Sequence, residues 1–244
     1  MNNITFAFLI TTIAGLSTLI GIIPIYLKIK NTKKLICISL AFASGVMSSI
    51  SIFSLTPESY ELLRENLRIA PSIILMIIFF LIGILLTSFF DKIFQKLENK
   101  LYKIGIINTL ALMIHNIPEG ILTFSTTTSN ISLGITLAIS IMCHNIPEGI
   151  SISVPIYYST KSKKKVWFYT IISGFSEVLG AILTYLFLYS FINNQFIGII
   201  LSLTTGIMIY ISLFELLPNS LEYKEKKTTI VAFIIGFIFM ILNQ

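Results

Sequence analysis

Long apolar runs separated by short polar connections fill the whole chain, at about 5–27, 35–57, 70–90, 105–126, 132–158, 166–191, 196–218 and 228–243. Crossing the hydrocarbon core of a bilayer takes roughly 20 apolar residues per helix. The pattern therefore predicts an all-α polytopic membrane protein. Eight crossings, segments one to eight, make residues 1–244 a single transmembrane domain with no sizeable soluble part.

Composition agrees: 55% of the residues are hydrophobic, 11% are charged, and the mean hydropathy is +0.90. The net charge of +6 does not point to nucleic acid once the charges are placed. Lys28, Lys30, Lys33 and Lys34 follow segment one, and Lys92, Lys96, Lys100 and Lys103 follow segment three. Lys161, Lys163, Lys164 and Lys165 follow segment five, and Lys224, Lys226 and Lys227 follow segment seven. The alternate connections hold Arg64 and Arg68 beside Glu58, Glu61 and Glu65. By the positive-inside rule the basic connections are cytoplasmic and both termini extracytoplasmic. Tyr157, Tyr158, Trp167 and Tyr169 flank one basic connection as interfacial anchors. The first apolar run lacks a basic leader and is long enough to remain as a helix rather than a cleaved signal. Cys37 and Cys143 both fall in apolar segments, so a disulfide framework is not expected. The preference for Ile, Lys and Asn suits an A+T-rich bacterial genome, and hence a bacterial cytoplasmic membrane.

Segments two and seven share a repeat. Residues 44–57 and 205–218 match in register at Gly45/Gly206, Met47/Met208, Ile50/Ile211, Ser51/Ser212, Phe53/Phe214, Leu55/Leu216 and Pro57/Pro218. Five crossings separate the copies, an odd number, so they run in opposite directions. Segments one to three and six to eight then form an inverted repeat around segments four and five, a 3+2+3 arrangement common among transporters.

One hexapeptide pattern occurs twice, at His115-Asn116-Ile117-Pro118-Glu119-Gly120 and His144-Asn145-Ile146-Pro147-Glu148-Gly149, and these contain both histidines of the chain. A four-residue spacing puts each His and Glu about 40° apart around a helix and roughly 6 Å along it. Two such faces turned together offer imidazole and carboxylate donors for a first-row divalent metal. Asn116 and Asn145 can add amide oxygens beside the same site. Glu177 places another carboxylate in segment six, between Ser176 and Gly180, a small-residue pair that favours close helix packing. An acid at mid-membrane costs about 2.5–3.5 kcal/mol on insertion scales, which a bound cation would offset. Pro118 and Pro147 free the carbonyls of Ile114 and Cys143 to line a polar cavity. Glu58 and Glu215, near the membrane ends beside Pro57 and Pro218, are candidates for the ends of a pathway. Glu61, Glu65, Glu222 and Glu225 read as solvated loop charges.

The paired His-Asn-x-Pro-Glu-Gly motif resembles the ZIP family of divalent metal transporters, most closely its bacterial ZupT-type branch. The Ile121-Leu122-Thr123-Phe124, Pro155-Ile156-Tyr157 and Ser173-Gly174-Phe175-Ser176-Glu177-x-Leu179-Gly180 stretches are similar to that branch, and the likeness spans essentially the whole chain. It implies a binuclear centre between segments four and five. One position would use His115, Glu119, His144 and Glu148, and the other Asn116, Asn145 and Glu177, with Glu119 and Glu148 shared. It also implies cytoplasmic uptake of zinc, iron(II), manganese, cobalt or cadmium, with Zn2+ or Fe2+ as transported substrate and no separate cofactor. Two features depart from the family. Ser54 stands where segment two usually carries the acid of a Glu-x-Leu-Pro pattern, kept in segment seven as Glu215, and no histidine lies between segments three and four.

The expectation is a metal importer working in the lipid bilayer, with divalent ions and a second copy of the chain as candidate partners. Its inverted-repeat bundle would move against segments four and five. The alternatives are an intramembrane zinc-dependent hydrolase, which lacks a His-Glu-x-x-His motif, and a structural or channel-forming bundle that binds no metal.

Overall fold

The computed structural model describes residues 2–27, 30–94, 98–188 and 193–242. Lys28 and Lys96, assigned above to basic connections, lie outside the described residues. The described chain is helical, with short turns and no strand among those residues. We number eight rods: α1 (Asn3–Tyr26), α2 (Thr32–Arg64), α3 (Ile69–Phe94), α4 (Lys100–Ser129), α5 (Ile131–Thr160), α6 (Lys163–Phe187), α7 (Asn194–Leu221) and α8 (Lys226–Ile241). Six are long and apolar enough to cross a membrane; α4 is diluted by its polar motif, and α8 is 16 residues long.

Local chemistry sets the helix starts. The side chains of Asn2, Asn31, Asn99, Asn130 and Asn193 each accept a bond from a backbone N–H in the first turn that follows, and Ser162 does the same for α6. These caps satisfy donors that a helix end leaves unpaired. Asn130 alone joins α4 to α5, ending one helix and capping the next. Lys161 and Lys224 adopt left-handed backbone at the turns after α5 and α7, with φ of 55° and 60°.

The rods are not uniform. The second half of α1, Ser17–Tyr26, winds as a 3₁₀ helix. In α2 and α7, π-helical turns cover Ser51–Leu55 and Ile211–Leu216, each directly before a first-turn proline, Pro57 or Pro218. A proline ring clashes with the carbonyl four residues back, and the wider turn makes room for it. Beyond the bulge α2 runs on to Arg64, past its expected end near Pro57.

The internal repeat is visible in how the rods touch. A Cβ added to Gly45 of α2 would lie 2.1 Å from Phe233 O of α8, and one on Gly236 of α8 would lie 2.2 Å from Phe42 O. In the other half, Gly83 of α3 and Gly206 of α7 stand in the same reciprocal relation, at 2.1 Å from Leu203 O and 2.0 Å from Phe80 O. So α2 packs on α8 as α7 packs on α3, and hydroxyls join the two halves. Ser59 Oγ donates to Gly198 O at 2.9 Å, and its counterpart Ser220 Oγ donates to Cys37 O at 2.9 Å. Ser44, Ser48 and Ser212 fill the seam between α2 and α7.

The packing cuts across the repeats. The helices α1, α4, α5 and α6 pack on one another as one unit, and α2, α3, α7 and α8 as a second; α5 meets α2, and α4 meets α7, where the units join. Segments four and five are therefore not a separate centre inside a six-helix frame, because α1 and α6 belong with them. On α3 the buried residues are Ser72, Gly83, Thr87 and Asp91, while Ile74, Ile77, Leu81, Leu85 and Phe89 face outward. Small and polar residues inside with large apolar ones outside is the arrangement a lipid solvent selects.

At the basic end of the bundle the lysines pair with aromatic rings and acids. Trp167 Nε1 donates to Tyr26 OH at 3.0 Å, Tyr102 and Tyr169 share a bond at 2.9 Å, and Lys163 Nζ lies over the Tyr26 ring.

Candidate metal centre

Both copies of the repeated hexapeptide lie within unbroken helices, and they meet across the α4–α5 contact. His115, Asn116, His144, Asn145, Glu148 and Glu177 are 0–5% exposed, and Glu119 is 4% exposed. His144 Nε2 is 2.8 Å from Glu119 Oε1, and His115 Nε2 is 3.2 Å from the same oxygen. Glu148 Oε1 approaches His115 Nε2 at 3.3 Å. Ligand atoms of His115, Glu119 and His144 all lie within 4.8 Å of one another. The two copies thus build one cluster, with Glu119 Oε1 between the two imidazoles.

Glycines let a third and a fourth helix approach. A Cβ on Gly120 would fall 1.9 Å from Glu177 O of α6, and one on Gly149 would fall 2.0 Å from Thr18 O of α1. Such contact leaves no room for any side chain at either position. Gly15 and Gly174 then bring α1 and α6 together, each Cβ position lying 2.3–2.4 Å from the other's carbonyl oxygen.

The asparagine amides tie these helices to the site. Asn116 Nδ2 donates to Ser173 O of α6 at 3.2 Å, and Asn145 Nδ2 donates to Ala14 O of α1 at 3.0 Å. Asn145 Nδ2 also donates to Glu177 Oε1, which brings the α6 carboxylate to the α5 motif. With both amino groups used, Asn116 Oδ1 and Asn145 Oδ1 remain buried without a hydrogen-bond partner among the described residues. So do Glu119 Oε2, both Glu148 oxygens and Glu177 Oε2. A buried polar atom left unpaired costs about 1–3 kcal/mol, more when charged. A cluster of them, oxygens beside two imidazoles whose nitrogens His115 Nδ1, His115 Nε2 and His144 Nδ1 are also without a hydrogen-bond partner among the described residues, is a donor set with the chemistry of a divalent transition metal.

The sequence profile described as ZIP Zinc transporter matches residues 97–244. The chain is also 37% identical to the Zinc transporter ZupT of Clostridium perfringens, over all of this chain and 96% of that protein. It is 39% identical to the Zinc transporter ZupT of Chlorobium luteolum, over all of this chain and 98% of that protein. The chain belongs to the ZIP family. This makes it a multi-pass membrane transporter rather than an enzyme, and the hydrolase alternative falls away.

In this ZIP protein the sequence left one feature of the site unread. Residues 11–21 of α1 and 170–180 of α6 share Thr11/Thr170, Ile13/Ile172, Gly15/Gly174, Ser17/Ser176 and Gly21/Gly180 in register. The contacts repeat too. Ser17 Oγ donates to Ala14 O at 2.6 Å and Ser176 Oγ donates to Ser173 O at 2.5 Å. The self-comparison that exposes the repeat of segments two and seven finds this one as well, and it brings α1 to the centre.

Two charged groups also differ from expectation. Lys103, read as a loop charge, is 17% exposed at its side chain, and its Nζ lies 2.5 Å from Asp91 Oδ1 and 3.9 Å from Glu215 Oε1. Glu222, read as solvated, pairs with Lys100 while remaining more than half exposed.

Proposed function

We propose that this protein imports divalent transition-metal ions across a bacterial cytoplasmic membrane, with zinc as the first substrate and iron(II), manganese, cobalt and cadmium as further candidates. The buried cluster of His115, Glu119 and His144, with unpaired carboxylate and amide oxygens around it, carries this reading. Two ions would share it, one on His115, Glu119, His144 and Glu148, the other on Asn116, Asn145 and Glu177, with Glu119 and Glu148 bridging. The zinc named in the relatives' descriptions supports the choice of metal. Nitrogen and oxygen donors without a thiolate also suit the other metals.

Direction follows from charge. The basic ends of the helices face the cytoplasm by the positive-inside rule, which leaves both termini outside. On the opposite face a cavity of about 570 Å³ is lined by Glu58, Ser125, Thr126, Ser129, Asn130 and Asn194. Its hydroxyls, amides and single acid, set among Leu62, Leu122, Leu133 and Ile197, suit the entry of a hydrated cation. The ion sheds water as His and Glu donors replace it, and leaves toward the basic end, where Asp91 and Glu215 stand at the α3–α4–α7 junction. All donors come from one chain, so the reading holds for a monomer and for a homodimer alike.

The test is zinc and iron(II) uptake into proteoliposomes by wild type and by the Glu119→Ala, Glu148→Ala and His144→Ala variants. The reading requires each substitution to abolish uptake. Transport at wild-type rates by all three would refute it.

A further inference from the structure

We propose that Thr18 is a specificity-determining position of the metal centre, the counterpart of Glu177 in the other repeat, presenting a neutral hydroxyl where α6 presents a carboxylate. This inference rests on the proposed metal centre and concerns a helix, α1, to which no donor of that centre has been assigned.

Four independent pairings make the equivalence. In register, the repeat of residues 11–21 on 170–180 sets Thr18 against Glu177. Thr18 O closes on Gly149 as Glu177 O closes on Gly120. Asn145 donates to Ala14 O as Asn116 donates to Ser173 O, and those acceptors lie at matching places, four residues before Thr18 and Glu177. Ser17 and Ser176, the residues immediately before, make the same back-bond. The internal symmetry that relates His115 to His144, Asn116 to Asn145 and Glu119 to Glu148 therefore relates Glu177 to Thr18.

A second observation concerns the side chain itself. Thr18 is 0% exposed, and its Oγ1 has no hydrogen-bond partner among the described residues. Thr109, Thr127, Thr184 and Thr205 donate to the carbonyl four residues back, whereas Thr18, in the 3₁₀ stretch of α1, does not, and buried Thr11, Thr123, Thr170 and Thr204 are likewise unpaired among the described residues. Leaving a buried hydroxyl unpaired is unfavourable. By the same symmetry the Asn145–Glu177 bond corresponds to a pairing of Asn116 with Thr18, and both Asn116 Oδ1 and Thr18 Oγ1 are unpaired among the described residues.

Charge gives the asymmetry a function. Three carboxylates, Glu119, Glu148 and Glu177, face up to two divalent ions, so the loaded centre stays one charge short of neutral. A fourth acid at position 18 would complete the neutralisation and hold the ions too tightly to release. A hydroxyl supplies an oxygen without that charge.

The experiment is isothermal titration of the purified full-length protein with zinc, comparing wild type with Glu177→Gln, Thr18→Val, Thr18→Ser and the Thr18→Asp/Glu177→Gln exchange, with the melting temperature of each metal-free protein as control. Loss of one oxygen donor should weaken zinc about tenfold in Thr18→Val, with Thr18→Ser close to wild type and the metal-free melting temperature of Thr18→Val no lower than wild type, since the lost hydroxyl had no partner. Moving the carboxylate across the repeat should restore about tenfold or more of the affinity lost in Glu177→Gln, since ligand charge count tunes affinity. Should the exchange variant not fold, the Val and Ser pair decides alone. Thr18→Val binding zinc like wild type, beside a weakened Glu177→Gln, would overturn the role of Thr18 and leave the centre standing. Undiminished binding by Glu177→Gln would overturn the assignment of that acid and this inference with it.

Discussion

His144 of α5 and Glu119 of α4 meet at 2.8 Å, and the same carboxylate oxygen lies 3.2 Å from His115 of its own helix. Glu119 thus stands between both imidazoles, whereas Glu148 approaches only His115, at 3.3 Å. Second-shell changes at metal sites already cost 10–100-fold in affinity, so Glu119→Gln should lower zinc affinity by at least about 100-fold, and by more than Glu148→Gln. Competition titration with a chromophoric chelator measures both.

The donors act only when deprotonated, so binding a metal releases protons and weakens as pH falls. Zinc binding measured from pH 7.5 down to 5.5 should therefore lose affinity progressively, with proton release seen as a buffer-dependent binding enthalpy. Substituting His144 by Ala should weaken binding across this range.

The asparagines have two separable tasks, clamping helices through Nδ2 and presenting Oδ1. Asn116→Asp keeps an oxygen in place and loses the donor to Ser173 O. Asn116→Ala loses both. Zinc stoichiometry per chain should fall from the proposed two toward one in Asn116→Ala while the ion on the His and Glu donors persists. Metal content after gel filtration reads this directly.

Gly149 cannot accept a methyl group, because its Cβ would sit 2.0 Å from Thr18 O. Overpacking a tight contact costs about 1–3 kcal/mol, and here the obstacle is backbone. Gly149→Ala should lower the melting temperature by several degrees and reduce zinc binding by displacing α1 from α5. Gly120→Ala should do the same through Glu177 O, at 1.9 Å.

Lys103 pairs with Asp91 at 2.5 Å and stands 3.9 Å from Glu215 where α3, α4 and α7 converge, with all three side chains at most 17% exposed. Removing one partner of a buried ion pair typically costs 3–5 kcal/mol, because it strands the other charge. Lys103→Met should destabilise the fold markedly. The Lys103→Met/Asp91→Asn double variant should recover much of the loss, as thermal unfolding in detergent would show.

Much of this molecule can be read from its residues. The 3.6-residue period puts His115 with Glu119 and His144 with Glu148, and the structure joins the two faces. The repeat of residues 44–57 on 205–218 anticipates paired helices that even share a π-helical turn before proline. What escaped has physical reasons. The partition into α1, α4, α5, α6 and α2, α3, α7, α8 depends on which glycine faces which backbone, and glycine carries no pattern of its own. Lys103 looks like its neighbouring loop lysines, because burial by Asp91 depends on a helix that ends in a different segment. Thr18 is one threonine among many until the symmetry of Gly15 and Gly174 sets it against Glu177.

The two hexapeptides are proposed to form a single metal-binding site. Zinc K-edge X-ray absorption on the zinc-loaded protein tests it most directly. The expected spectrum shows nitrogen and oxygen ligands at zinc–histidine and zinc–carboxylate distances of about 2.0–2.2 Å, no sulfur, and imidazole outer-shell scattering that is lost when His115 and His144 are both replaced by Ala. Sulfur ligation from Cys37 or Cys143, or a spectrum unchanged by the double replacement, would contradict it.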